Sequence, residues 1–204
     1  MGAFATLKRL SRSMASGSAP AYGEAHVLKA IEIIGSLAGI GRKMLSKELG
    51  LGEGTVRTLV KRLKDEGILE SSRGGMFLTN LGEKLLSDLH ESIRATELEE
   101  TIITVGRFNY AVLVKGSASE IKSGVEQRDA ALIAGAKGAT TLIFKEGCFH
   151  IPSLDIEFPE RVSRRLIERL SPGEGDVIII GTADNLLEAE LGAKSAALNI
   201  LNKS

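Results

Sequence analysis

The sequence predicts an α+β protein in two parts: a helical N-terminal part closed by a β-hairpin, and a C-terminal α/β sandwich. Three observations carry this. Apolar residues recur at spacings of three and four between Glu24 and Glu66, the mark of amphipathic helices. Two short extended runs flank the turn Ser72-Arg73-Gly74-Gly75. Beyond residue 100, β-branched runs alternate with helical ones. Charge divides at about the same place. Residues 1–95 carry 14 Lys+Arg against 10 Asp+Glu, and residues 96–204 carry 12 against 16. The 204-residue chain is neutral as a whole, but its first half is mildly basic and suited to nucleic acid. The expected division is an arm over residues 1–23, a helical domain with a trailing helix over 24–99, and an α+β regulatory or dimerisation domain over 100–204.

Composition excludes several classes. Hydrophobic residues make up 43% and charged residues 25%, enough apolar material to build cores and so not a disordered chain. No run approaches 18 apolar residues, so no membrane-spanning helix is expected. One cysteine forms no internal disulfide, and an intracellular, cytoplasmic protein fits best.

The elements follow in order. Residues 1–23 contain no acidic residue and no apolar secretory core; they resemble a transit peptide, with a short arm or extra helix as the favoured alternative. Ser16–Gly23 reads as a linker. A first helix starts at Glu24, with Val27, Leu28, Ile31, Ile34 and Leu37 on one face, and Gly39–Gly41 ends it. A second runs from Arg42 to Leu49, with Met44, Leu45 and Leu49 inward. Gly50-Leu51-Gly52 forces a turn, and a third helix spans about Glu53–Glu66 on Val56, Leu59, Val60 and Leu63. Gly67 stops it. The hairpin pairs Ile68–Ser71 with Met76–Thr79, and a fourth helix follows over about Leu81–Glu99.

Three helices, a Gly-containing turn between the second and third, and a hairpin are similar to a winged helix-turn-helix. The run RKMLSKELGLGEGTVRTLVKRLKDEGILESSRGGMFLTNLGEKLL resembles that family along its length, and the likeness covers residues 24–89. It implies that the helix over 53–66 enters the major groove of double-stranded DNA. With the apolar set inward, that helix turns Thr55, Arg57, Thr58, Lys61, Arg62 and Asp65 outward. Arg57 and Thr58 are the first candidates for base contact. Arg42, Lys43, Lys61, Arg62 and Arg73, the last at the hairpin tip, are candidates for phosphate, and Thr55 lies near the helix N-terminus. A solvated charged face is the alternative.

In the second half, Thr101–Val105 and Asn109–Lys115 read as strands, Ser119–Ala134 as a helix, and Thr140–Lys145 and Cys148–Ile151 as a hairpin. Arg161–Leu170 reads as a helix opened by Pro159, Asp176–Ile180 as a buried strand, and Asn185–Leu201 as a final helix. This order fits a ferredoxin-like βαββαβ arrangement plus a terminal helix. Small effector-sensing domains attached to winged helices look similar. A shift of 65 residues aligns VLVKGSA (112–118) with VIIIGTA (177–183). Gly116-Ser117 and Gly181-Thr182 are therefore candidate walls of an effector site, with Ser119 and Asp184 as helix caps; ordinary strand-to-helix turns are the alternative. Arg128 has the chemistry to hold an effector carboxylate or phosphate, or to pair with an acid such as Glu126 or Asp155. Arg128 and its neighbour Asp129 are expected on different faces.

No catalytic constellation stands out. His26, His90 and His150 are dispersed, and Cys148-x-His150 supplies too few ligands for a metal, so a buried cysteine and a packed histidine are expected. Gly50–Gly54 lacks the lysine of a phosphate-binding loop, and Gly-x-Ser-x-Gly is absent. No cofactor, metal or membrane partner is expected, and no enzyme activity. The whole chain, including QRDAALIAGAKGATTLIF, resembles a two-domain archaeal family whose C-terminal domain is of unknown function. The resemblance implies a cytoplasmic DNA-binding transcriptional regulator. It is expected to be a homodimer, with helix 81–99 and the alanine face Ala189, Ala193, Ala196 and Ala197 as contacts, and to take a small-molecule effector. The alternative is a protein-interaction scaffold or enzyme subunit whose winged helix binds protein.

Overall fold

The computed structural model describes residues 2–12, 21–37, 39–152, 154 and 158–203. Most of the expected Ser16–Gly23 linker, and Asp155, fall outside the described residues. The chain divides into two compact units, residues 1–91 and 92–204.

The N-terminal unit contains α1 (Ala3–Ser11), α2 (Glu24–Ser36), α3 (Arg42–Leu49), α4 (Glu53–Asp65), β1 (Leu69–Ser72), β2 (Gly75–Leu78) and α5 (Asn80–Ser92), whose last residue opens the second unit. Val56, Leu59, Val60 and Leu63 are all buried on α4, as their spacing requires. Leu45 and Leu49 are buried on α3 and six of α2's apolar side chains with them, whereas Leu37 and Met44, expected inside, are exposed. The segment expected as an arm begins with α1, which packs on α2 and α4 and buries Leu7 and Leu10. Full burial of two leucines contributes about 3–6 kcal/mol. Arg9 adds a forked ion pair to Glu66 (Nε–Oε1 3.0 Å, Nη2–Oε2 2.6 Å). Both side chains are about a third exposed, so this pair contributes no more than about 1 kcal/mol.

One pH effect arises here. The Gly23 N–H donates to His26 Nδ1 at the start of α2 (3.3 Å). Burial, helped by the Lys29 charge, holds the His26 imidazole below the usual histidine pKa. The unfolded chain therefore takes up the proton first. Stability from this site is complete above about pH 6.5 and is lost as pH falls toward the folded value. Thermal unfolding between pH 7 and 5 is expected to show a shallower decline for His26→Gln than for wild type.

The C-terminal unit contains β3 (Ile93–Leu98), β4 (Phe108–Val114), α6 (Val125–Ile133), β5 (Gly138–Lys145), β6 (Cys148–His150), α7 (Glu160–Leu170), β7 (Val177–Ala183) and α8 (Leu186–Leu201). Its sheet is antiparallel throughout, in the order β3-β4-β7-β5-β6. On one face Ala111, Leu113, Leu142, Ile178 and Ile180 pack with Val162, Leu166 and Leu170 of α7. The alternate side chains of β4 and β7 turn to the other face, where α6 and α8 pack. The result is the expected α+β sandwich, with helices on both faces.

Several expectations are corrected. The trailing helix stops at Ser92, and Ile93–Leu98 pairs with β4 in register Ile93↔Val114 to Leu98↔Asn109. Arg, Ala, Glu and Leu in this run favour a helix locally, and strand pairing overrides them. The boundary therefore lies at 91/92, not 99/100. Thr101–Val105 is a loop. The expected helix over 119–134 is a single 3-10 turn (Ala118–Glu120) followed by α6, interrupted by Gly124 in the left-handed conformation (φ 78°). The strand order is not ferredoxin-like. β4 and β5 flank the last strand, β7, while the hairpin strand β6 takes the edge. All seven residues of β7 are buried, so it takes the centre; β6 has three residues, two of them exposed, and is fit for an edge. Cys148 and His150 are those exposed residues, so the expected buried cysteine is not found.

The alanine face of α8 is also reassigned. Ala189, Ala193, Ala196 and Ala197 are at most 1% exposed within the unit and so are not dimer contacts. They let α8 lie close on the sheet: a Cβ on Gly181 of β7 would come within 2.3 Å of the Ala189 carbonyl oxygen. Gly181 is thus required by this approach.

Candidate nucleic-acid interface

The α3–α4 turn is built by local bonds. Gly50 ends α3 in the left-handed conformation, and its N–H reaches the Lys47 carbonyl (3.2 Å). The Leu51 N–H donates to the Ser46 carbonyl (3.1 Å). The turn fixes α4 against α3. The wing is held separately. β1 and β2 pair from Leu69↔Leu78 to Ser72↔Gly75. Met76 N–H donates to the Ile40 carbonyl (3.0 Å), and Ile40 N–H returns to the Met76 carbonyl (3.4 Å). Gly75 (φ 122°) lets the Gly39–Ile40 segment approach, since a Cβ there would lie 2.8 Å from Ile40 N. The wing is therefore locked to the segment that leads into Arg42.

Between α4 and the wing lies a groove of about 620 Å3. Arg42, Arg57, Lys61 and Lys64 line it, with Asp65 as the single acidic residue among the described lining. Ile40, Val60 and Met76 form part of its floor. Lys61 pairs with Asp65 across one helical turn (2.6 Å), and both are well exposed, so the pair is weak and exchangeable. A concave, solvent-open surface with four cations and one carboxylate attracts a polyanion.

The expected site residues divide. Arg42, Arg57 and Lys61 come together in the groove; Lys43, Thr58 and Arg73 are exposed outside its lining, and Thr55 is half-buried. Thr58 Oγ1 donates back to the Gly54 carbonyl (3.2 Å). Arg62 is turned the other way. Its Nη1 donates to the carbonyls of Leu10 (3.0 Å) and Arg12 (2.6 Å), and its guanidinium lies over the Tyr22 ring (5.7 Å). Arg62 thus ties α4 to the C-terminal end of α1. Lys64 was missed in the sequence reading, although Arg57, Lys61 and Lys64 stand at i, i+4 and i+7 and share one face.

The expected effector walls do not converge. Antiparallel pairing runs from Phe108↔Ala183 to Val114↔Val177, so the two turns leave opposite ends of the sheet, about 20 Å apart. The Gly116 N–H already donates to Asp176 Oδ1 (2.8 Å), and Ser117 Oγ to the Lys115 carbonyl (3.1 Å). Gly181 and Thr182 lie inside β7, and Thr182 Oγ1 accepts from the Gly106 N–H (2.7 Å). The cap of α8 is Asn185, whose Oδ1 accepts from Glu188 N (2.9 Å), not Asp184. Arg128 forks one oxygen of Asp129 (3.0 and 3.2 Å) despite their adjacency, and it lines a separate groove beside the N-terminus of α6. Among the described residues no group of three or more His, Cys, Asp or Glu is placed to hold a metal ion, and no helix is long and apolar enough to cross a membrane.

Residues 25–93 match the family described as the CggR N-terminal DNA binding domain, and residues 105–200 match a domain of unknown function, DUF4443. The chain is 35% identical over 75 residues to the HTH-type transcriptional regulator Ptr1 of Methanocaldococcus jannaschii, a match covering 37% of this chain and 51% of that protein. It is 32% identical over 94 residues to the central glycolytic genes regulator of Priestia megaterium, covering 44% of this chain and 28% of that one. The matches thus span about half of the first relative's length and just over a quarter of the second's. A solved structure, that of a hypothetical protein from Pyrococcus horikoshii OT3, is similar with a TM-score of 0.74 and 28% identity, over 90% of this chain and 95% of that one. The N-terminal part of the chain is thus similar to the CggR N-terminal DNA binding domain, and the C-terminal part to the domain of unknown function DUF4443.

Proposed function

We propose that the protein is a cytoplasmic DNA-binding transcriptional regulator, not an enzyme. The N-terminal unit contacts duplex DNA through the groove between α4 and the wing. The C-terminal unit senses a small molecule, dimerises, or both. The observation that carries the reading is the meeting of Arg42, Arg57, Lys61 and Lys64 around one open groove beside the helix that enters the major groove in this motif. The names of the relatives, both transcriptional regulators, support it. Arg57 and Thr58 reach base edges in this reading; Arg42, Lys43, Lys61, Lys64 and Arg73 hold phosphates, and Thr55 borders the contact.

Fluorescence anisotropy of duplex DNA across a salt series tests this. Four or more phosphate contacts predict a fall in log affinity of about 0.9 per contact against log salt. A winged helix that docks on protein instead would show no saturable duplex binding at low salt. A homodimer is part of the same reading, since one recognition helix spans few base pairs. Sedimentation at micromolar concentration with and without DNA is expected to show the dimer, and a monomer in both conditions contradicts it.

A further inference from the structure

We propose that the C-terminal unit binds a small aliphatic monocarboxylate in the groove beside the N-terminus of α6. The inference rests on the sensing half of the regulator reading and names the ligand class. The strand β5 pairs with β7 over Gly138–Ile143 on one side, but with β6 only over Ile143–Lys145 on the other. Among the described residues, Ala139–Leu142 therefore has no strand neighbour on that edge. A cavity of about 620 Å3 opens there, within the range of roughly 300–1,000 Å3 for small-ligand sites.

Its chemistry is one-sided. Ile102, Ile103, Val105 and Val125 supply apolar walls, and Ile102 and Val105 are 89% and 80% exposed, unusual for large aliphatic side chains with no role at the surface. Arg128, whose guanidinium also forks Asp129, is the single charged residue among the described lining. The α6 N-terminus beside it has no side-chain cap, because its capping residue is Gly124. Its first-turn N–H groups attract an anion. The acid in that first turn, Glu126, is taken up by Lys203 at the far end of the chain, which holds its carboxyl below the usual range. The independent observation is Thr141. It is 3% exposed, and its Oγ1 has no hydrogen-bond partner among the described residues. That oxygen lies 3.2 Å from where a Cβ on Gly124 would stand, so the absent side chain leaves it facing the α6 terminus. A buried hydroxyl with no partner is costly unless something fills the role.

A carboxylate fits these groups together. One oxygen meets the α6 amides and Arg128, the other accepts from Thr141 once the Gly124 backbone that covers its Oγ1 moves aside, and the aliphatic body lies on Ile102, Ile103, Val105 and Val125. A dianion would meet too little positive charge, and an amine would face Arg128.

The probe is sodium octanoate, titrated calorimetrically into the full chain. Saturable one-to-one binding is expected below about 1 mM. Arg128→Gln is expected to weaken it about tenfold or more. Thr141→Val, nearly isosteric, is expected to weaken it about threefold or more while leaving thermal stability equal or higher. Octan-1-ol and octylammonium are expected not to saturate. The proposal is overturned if octanoate does not saturate, if Arg128→Gln binds it unchanged, or if octan-1-ol binds as well. Duplex anisotropy on the same samples separates the two readings. Octanoate binding without any shift in DNA affinity supports the site and removes its sensing role. Absence of DNA binding removes the regulator and leaves the carboxylate site standing.

Discussion

Replacing Arg42, Arg57, Lys61 and Lys64 together by alanine is expected to lower the salt slope of duplex binding by about 2.7, because Arg42, Lys61 and Lys64 each hold a phosphate contributing about 0.9, while loss of Arg57 relaxes base specificity. The four side chains line one groove and are exposed, so their loss removes charge without opening a core. Stability is expected to change by less than about 1 kcal/mol. The Lys61–Asp65 pair is lost with them, and at its exposure it contributes little. Arg62→Ala is the opposite case. Its donors serve the Leu10 and Arg12 carbonyls and its face covers Tyr22, so it is expected to leave the slope within about 0.5 and to destabilise by about 1–3 kcal/mol. Two arginines five residues apart on one helix thus divide into ligand and brace. Anisotropy and denaturant unfolding on both variants check this.

The largest stability effect is expected at Lys194. This residue of α8 is 1% exposed and pairs with Glu190, 7% exposed, one turn earlier, with its ammonium 5.5 Å from the Tyr110 ring centroid. Two charges beneath a sheet are tolerated because each compensates the other. Lys194→Met removes one and leaves the Glu190 carboxylate buried, so a loss of about 3–5 kcal/mol is expected. The double variant Lys194→Met/Glu190→Leu is expected to recover most of it, because apolar side chains of similar volume suit the site. Urea unfolding of the two single variants and the double variant, read as a double-mutant cycle, measures the coupling.

The helices of the N-terminal unit were legible because their buried side chains repeat at three and four, which only a helix places on one face. The hairpin was legible from Arg73, Gly74 and Gly75 between extended runs, and α7 from Val162, Leu166 and Leu170. What was hidden depends on distant partners. Ile93–Leu98 holds four good helix formers, Arg94, Ala95, Glu97 and Leu98, and its pairing with β4 makes it a strand. Gly181 looked like a turn because the approach of α8 to β7 cannot be seen in either segment alone. The same holds for the candidate site. Arg57 and Lys61 follow from the helix face, but Arg62 was assigned to phosphate because the docking of α1 lies more than 50 residues away in sequence. Lys64 enters only once the wing is folded against α4. Arg128 was picked out by its chemistry, yet the hydroxyl and uncapped helix beside it come from β5 and the break at Gly124.

The central claim is that DNA lies in the groove between α4 and the wing. The most direct test is photo-crosslinking from single cysteines in a Cys148→Ser background, since Cys148 is the chain's one native thiol and is exposed. A crosslinker at Ser71→Cys, on the groove wall, is expected to capture duplex DNA efficiently, with yield falling as salt rises. One at Glu83→Cys, exposed on α5 and outside the groove lining, is expected to capture little. Equal yields from the two positions, or none from Ser71→Cys where anisotropy shows binding, would contradict the account.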